Sequence, residues 1–110
     1  MKPLRLVAEA RAELLHETKY YEDKRLGTGK AFREAVKASL DLIRHFPQGG
    51  APGPAGTRRT KVSGFPFTVV YSDMPAEIVV FAIALTGDNR AIGRSAPGRA
   101  AEQGRHARPA

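Results

Sequence analysis

The stretch Phe65-Pro66-Phe67-Thr68-Val69-Val70-Tyr71-Ser72-Asp73-Met74-Pro75-Ala76-Glu77-Ile78-Val79-Val80-Phe81-Ala82-Ile83-Ala84-Leu85 holds two different strand signatures in a row. Phe67, Val69 and Tyr71 alternate with Thr68, Val70 and Ser72, which predicts a strand with one face packed on a core and the other more exposed. Ile78 to Ile83 is an unbroken apolar run, as expected of a central strand covered on both faces. Asp73-Met74-Pro75-Ala76 between them is short enough for an antiparallel hairpin. Upstream, Arg58 to Val62 reads as a third strand, separated from Phe65 by Ser63-Gly64, so a three-stranded meander is predicted.

What covers that sheet is readable further upstream. Phe32, Val36, Leu40 and Ile43 recur at spacings of four, four and three, placing a large apolar residue on one face of a helix from Lys30 to Arg44 at every turn. Phe46-Pro47 ends it, because proline restricts the preceding residue and donates no amide hydrogen. Glu9 to Lys24 is a second amphipathic segment, with Ala10, Leu14, Thr18 and Tyr21 on one side. Leu26-Gly27-Thr28-Gly29 separates the two helices and predicts an antiparallel hairpin. Leu4 to Val7 alternates as a short first strand. Gln48 to Gly56 holds four glycines and two prolines and is expected to be a loop. The fold class is therefore α+β, in the order β-α-α-β-β-β, with the helical hairpin on one face of an antiparallel sheet.

Composition bounds the function. A chain of 110 residues, 42% hydrophobic, supports one core; the domain is expected over residues 1–95, followed by a flexible basic tail over 96–110. Cysteine is absent, which removes disulfides, thiolate metal sites and cysteine nucleophiles. No apolar run reaches the length of a membrane span, and a soluble, unprocessed cytoplasmic protein is expected. The net charge of +7 favours anionic partners. Residues 1–43 carry nine basic and seven acidic side chains, whereas residues 44–61 carry Arg44, Arg58, Arg59 and Lys61 with no acid. Residues 86–110 add five arginines, Arg90 and Arg94 among them, against Asp88 and Glu102.

Other constellations carry less. Gly27-Thr28-Gly29-Lys30 opens a helix but lacks the spacing of a phosphate loop. His16, His45 and His106 are scattered, so neither a metal site nor any other cofactor is expected. Tyr21 falls on the apolar helix face and reads as core, while Tyr20 beside it is available for contact.

Six pieces, in order, resemble one family: Ala10-Arg11-Ala12-Glu13-Leu14, Tyr20-Tyr21-Glu22, Leu26-Gly27-Thr28-Gly29 leading to Phe32, Phe46-Pro47, Phe65-Pro66-Phe67-Thr68-Val69-Val70-Tyr71, and the run ending near Arg90. Over roughly residues 4 to 94 the chain is similar to RelE/ParE toxins of type II toxin-antitoxin systems. The resemblance implies a growth-inhibiting toxin neutralised by a cognate antitoxin, acting by cutting messenger RNA on the ribosome or by poisoning DNA gyrase.

Arg59 and Lys61 match two basic positions of the RelE-like nuclease, where cations hold phosphate and stabilise charge during cleavage. Thr68 stands where that branch carries arginine, Arg90 matches an arginine after the last strand, and no tyrosine follows Tyr71. Only His106 could replace the missing proton-transfer group. Tyr-Tyr-Glu and Phe-Pro-Phe look more like the ParE branch, so gyrase inhibition is the expected activity. The ribosome-dependent messenger nuclease and a non-toxic basic nucleic-acid-binding module stand as alternatives. Candidate target- or phosphate-binding residues are Arg58, Arg59, Lys61, Arg90 and Arg94; catalytic residues are not assigned. An acidic, partly disordered antitoxin is expected to cover the hairpin and sheet as a hetero-oligomer, with Leu15, Tyr20, Phe32 and Val70 as candidate contacts.

Overall fold

The computed structural model describes residues 1–88. Among them are strands β1 (Leu4–Leu6), β2 (Ala51–Pro52), β3 (Arg58–Lys61), β4 (Phe67–Asp73) and β5 (Ile78–Leu85), and helices α1 (Ala8–Lys24) and α2 (Thr28–His45). The sheet order is β1-β5-β4-β3-β2. The meander β3-β4-β5 is antiparallel throughout, and β1 pairs parallel with β5, Leu4 opposite Ile78 and Leu6 opposite Val80. A parallel neighbour cannot be reached by a tight turn; here the helical hairpin and strands β2 to β4 lie between the two strands in sequence. The α+β class and the helical hairpin on one face of the sheet are as the sequence predicts.

The hairpin turn has a specific cause. The Glu22 carboxylate near the end of α1 accepts hydrogen bonds from the amides of Gly27 and Gly29, each at 3.0 Å, supplying the start of α2 with the acceptor its unpaired amides need. Gly27 has φ +90°, a region costly for other residues. A Cβ on Gly29 would lie 2.6 Å from the Thr18 carbonyl oxygen, so the close approach of the helices also requires glycine.

The core lies between the hairpin and the sheet. Phe32, Val36 and Ile43 of α2 and Ala10 of α1 pack with Phe67, Val69 and Tyr71 of β4 and with Ile78, Val80 and Ile83 of β5. Tyr21 joins them through ring contacts with Phe32 at 5.1 Å and Phe65 at 5.0 Å. At the α2 turn where the spacing assigns Leu40 to the core, the buried position belongs to Ser39, and Leu40 is half-buried. The Ser39 hydroxyl donates to the Lys61 carbonyl oxygen at 3.2 Å, which satisfies a polar group in a core position.

Two further expectations are corrected. Gln48 to Gly56 is not all loop: Ala51–Pro52 pairs antiparallel with Arg58 and Arg59 as edge strand β2, and a single 3-10 turn spans Pro54–Gly56. Tyr71 and Arg58 hold it there. The buried Tyr71 hydroxyl donates to the Pro47 carbonyl at 2.9 Å and accepts from the Gly50 amide at 3.1 Å. Proline at such a place is suited only to an edge.

Thr68 and Ser72, expected to be the exposed half of the β4 alternation, are also buried. The Ser72 hydroxyl donates to the Gly56 carbonyl at 3.1 Å, and the Thr68 hydroxyl shares a hydrogen bond with that of Thr86 at 2.9 Å.

A bulge in β5 lets the apolar run serve both faces. Val70 lies opposite Ala82 and Tyr71 opposite Val80, so Phe81 is the extra residue. Ile78 and Val80 face the helices before it, Ile83 after it, and Ala82 and Ala84 fall on the other side beside Val70. The amide of Ile83 donates to the Glu13 carboxylate of α1 at 2.9 Å. A helix side chain thus pairs β5 beyond the point where β1 has ended.

Candidate functional site

The candidate site is the face of the sheet turned away from the helices. Strand alternation decides which cations reach it. Arg58 lies opposite Tyr71 and Arg59 opposite Val70, while Thr60 pairs with Val69 and Lys61 with Thr68. Arg59 and Lys61 therefore share the helix-free face with Thr68 and Val70, and Arg58 is on the other.

There Arg58 has a structural task. Its Nη1 donates to the carbonyls of Gln48 at 3.0 Å and Gly50 at 2.9 Å, and its Nη2 to Gln48 Oε1 at 2.9 Å. Its guanidinium clamps the segment that leads into β2, so Arg58 does not join Arg59 and Lys61 in one cationic patch.

Arg59 and Lys61 line an open groove of about 210 Å³. Val70, Ala84 and Leu85 line it with Thr57, Thr68, Thr86 and Asp88. The Arg59 Nε atom is buried and has no hydrogen-bond partner among the described residues. Lys61 is exposed. Thr57 donates to the Pro54 carbonyl at 2.7 Å, and Thr68 and Thr86 share one hydrogen bond, so one hydroxyl of that pair keeps a proton to donate. The groove thus combines two cations with apolar lining, and one threonine hydroxyl adds a donor. Neither histidine nor tyrosine lines it among the described residues.

At the end of the sheet, Asp73 accepts from Lys2 and from Gln48, and Lys2 also donates to the Met74 carbonyl at 2.6 Å. The Lys2 ammonium lowers the Asp73 carboxyl below its ordinary range against the opposing effect of burial, with the Gln48 amide adding to the lowering. Arg5 of β1 makes two bonds of 3.1 Å to Glu77, whose carboxyl is likewise lowered, chiefly by that hydrogen bonding. These acids are engaged in holding β1 and the β2 loop to the sheet ends. Burial, aided by Glu17, raises the Tyr21 phenol, as expected of a ring in the core.

The residues expected to meet a partner separate into three environments. Leu15 and Tyr20 are 65% and 48% exposed on the outer side of α1, and Lys24 stands over the Tyr20 ring at 5.2 Å. Phe32, by contrast, is fully buried. Its ring stacks among Tyr21, Phe65 and Phe67, so its side chain supports the hairpin from within and offers no surface to a partner. Val70 lines the helix-free groove. Leu42 and Phe46, 53% and 66% exposed at the end of α2, are apolar surface that sequence reasoning missed. Leu42 lies off the 32-36-40-43 stripe, and that displacement was the available signal. Arg90 and Arg94, His106 and the tail over 96–110 lie outside the described residues.

Residues 4–95 match the family described as ParE toxin of type II toxin-antitoxin system, parDE. The chain belongs to the ParE toxin family. A comparison with curated proteins gives no sequence match. Among solved structures, the fold is similar to one described as the chromosomal ParDE TA system from P. aeruginosa. The TM-score is 0.69 at 16% identity, over 77% of this chain and 96% of that one. At that identity the likeness concerns the fold. It places the β1-helical hairpin-sheet arrangement within the architecture of ParE toxins.

In this ParE-family chain, the helix-free groove can hold an anion against Arg59 and Lys61. It brings no imidazole or phenol to them among the described residues, and proton transfer at a bound phosphodiester needs such a group. Among the described residues no helix is long and apolar enough to cross a membrane.

Proposed function

We propose that this ParE-family toxin inhibits growth by poisoning DNA gyrase, and that a cognate acidic antitoxin neutralises it in a cytoplasmic hetero-oligomer. One observation carries the target: Arg59 and Lys61 stand in a groove with Thr68 opposite Lys61 and, among the described residues, neither histidine nor tyrosine on its lining. Such a site holds an anionic surface by charge and does not move the proton that RNA cleavage demands. The apolar surface at Leu15, Tyr20, Leu42 and Phe46 on the helical hairpin supports the second partner. An amphipathic segment of an antitoxin would cover these residues, as exposed apolar surface on a helix pair invites, and the +7 charge favours an acidic one.

The test combines purified gyrase with the purified chain and, in parallel, maps RNA ends after induction in cells. The expected result is loss of supercoiling with accumulated cleavage complexes, intact messengers, and relief when the neighbouring reading frame is coexpressed. Codon-phased cuts abolished by Arg59→Ala or Lys61→Ala would establish the messenger nuclease instead. Unimpaired growth, with nothing from the operon copurifying, would leave a non-toxic binding module.

A further inference from the structure

We infer that the helix-free groove takes an extended acidic peptide with carboxylates at alternate positions, and not a nucleic-acid phosphate. The inference rests on reading this face as the one that meets the target, and it names the chemistry met there. Arg59 and Lys61 are two residues apart on one strand face, so their side chains leave the sheet roughly 7 Å apart. An extended peptide repeats its side chains on one face at the same interval. Glutamates at positions i and i+2 therefore come into register with the two cations.

The rest of the lining selects against a nucleotide. At about 210 Å³ the groove is smaller than pockets that enclose a drug-sized molecule, which run about 300–1,000 Å³. Among the described residues its lining contains no aromatic ring on which a base could stack; the ring cluster of Tyr21, Phe32, Phe65 and Phe67 is on the opposite side of the sheet. Of the threonine hydroxyls, that of Thr57 donates to the Pro54 carbonyl and those of Thr68 and Thr86 share one bond, which leaves a single hydroxyl proton for a sugar or phosphate oxygen. What remains is the apolar lining of Val70 and Ala84 for a short aliphatic stem, and the positive charges of Arg59 and Lys61 for the carboxylates.

The experiment titrates the full chain with three probes of equal charge. They are a short alternating Glu-Ser peptide, a peptide of the same composition with its glutamates in one block, and oligothymidylate. The alternating peptide is expected to bind about tenfold tighter than either of the others, the scale of one well-made charged hydrogen bond. Arg59→Gln and Lys61→Gln should each reduce that binding by about tenfold, with unchanged circular dichroism, and Lys37→Gln on the outer side of α2 should not. Tighter binding of oligothymidylate, equal binding of the two peptides, or indifference to Arg59→Gln would overturn the inference. Failure to inhibit gyrase while the alternating peptide still binds in the groove would refute the proposed target and leave this inference standing. Inhibition of gyrase without peptide binding would do the reverse.

Discussion

The helix-covered face of the sheet presents Phe67, Val69, Tyr71, Ile78, Val80 and Ile83, each at 3% exposure or less. The opposite face presents Arg59, Lys61, Thr68, Val70, Ala82 and Ala84 from the same strands. On the first face every side chain has found a partner of its own kind, down to the Tyr71 hydroxyl with its two backbone partners. On the second, the apolar residues are small, and the buried Arg59 Nε has no partner among the described residues. Stability is concentrated on one side of β4 and binding capacity on the other, and a one-residue step along β3, from Arg58 to Arg59, moves a cation between the two.

The largest expected effect tests the stability side. Phe32→Ala deletes a fully buried ring in contact with Tyr21, Phe65 and Phe67, and should cost about 3–5 kcal/mol in urea unfolding. A loss under about 1 kcal/mol would mean that the hairpin is not held by this cluster. Next, Tyr71→Phe leaves the Pro47 carbonyl and the Gly50 amide without their shared hydroxyl, an expected cost of about 1–3 kcal/mol. Faster hydrogen exchange should be confined to the β2 segment, since that is what the hydroxyl pins.

How far the sequence discloses this contrast depends on the physics of each feature. The α2 stripe and the β5 run are legible because burial imposes a period, and a period survives in one dimension. Strand β2 is not, because Ala51–Pro52 is a strand only by virtue of Arg58 and Tyr71 holding it against β3, and its composition announces a loop. Ser39 displaces Leu40 through one hydrogen bond to a carbonyl 22 residues away, which spacing cannot foresee. Thr68 and Ser72 are buried for the same kind of reason. The separation of Arg58 from Arg59 was legible: period-two alternation puts adjacent residues on opposite faces, and grouping them by charge alone overlooked it. The partner contacts divide likewise, since Phe32 lies on the stripe that builds the core and so could not also be surface.

A smaller effect probes the ties at the sheet ends. Because Lys2 and Gln48 lower the folded Asp73 pKa, Asp73 adds stability in full above the unfolded carboxylate value of about 3.9. That contribution is lost as pH falls through the lower folded value. Solvent screening holds it to about 0.2–1 kcal/mol. The melting temperature of the parent should exceed that of Asp73→Asn near neutral pH and converge with it in acid. A gap that widens in acid would contradict the assignment.

The smallest effect on stability is the most informative about the two faces, and it compares neighbours. Arg58→Met removes three hydrogen bonds and leaves the carbonyls of Gln48 and Gly50 short of a donor, so it should destabilise the fold by about 1–2 kcal/mol. Arg59→Met has the same change of charge and almost the same change of volume, one residue away. Yet it removes a buried nitrogen that has no partner among the described residues, and a polar group buried without a hydrogen bond costs free energy. Val70, the register partner of Arg59 on the same face, offers the methionine chain an apolar neighbour. Arg59→Met should therefore lie within about 0.5 kcal/mol of the parent, or slightly above it in stability, while abolishing action on the target. Matched urea denaturation and supercoiling assays read both consequences. If the two substitutions cost the same, Arg59 is a structural residue like its neighbour and the division of labour between the faces fails.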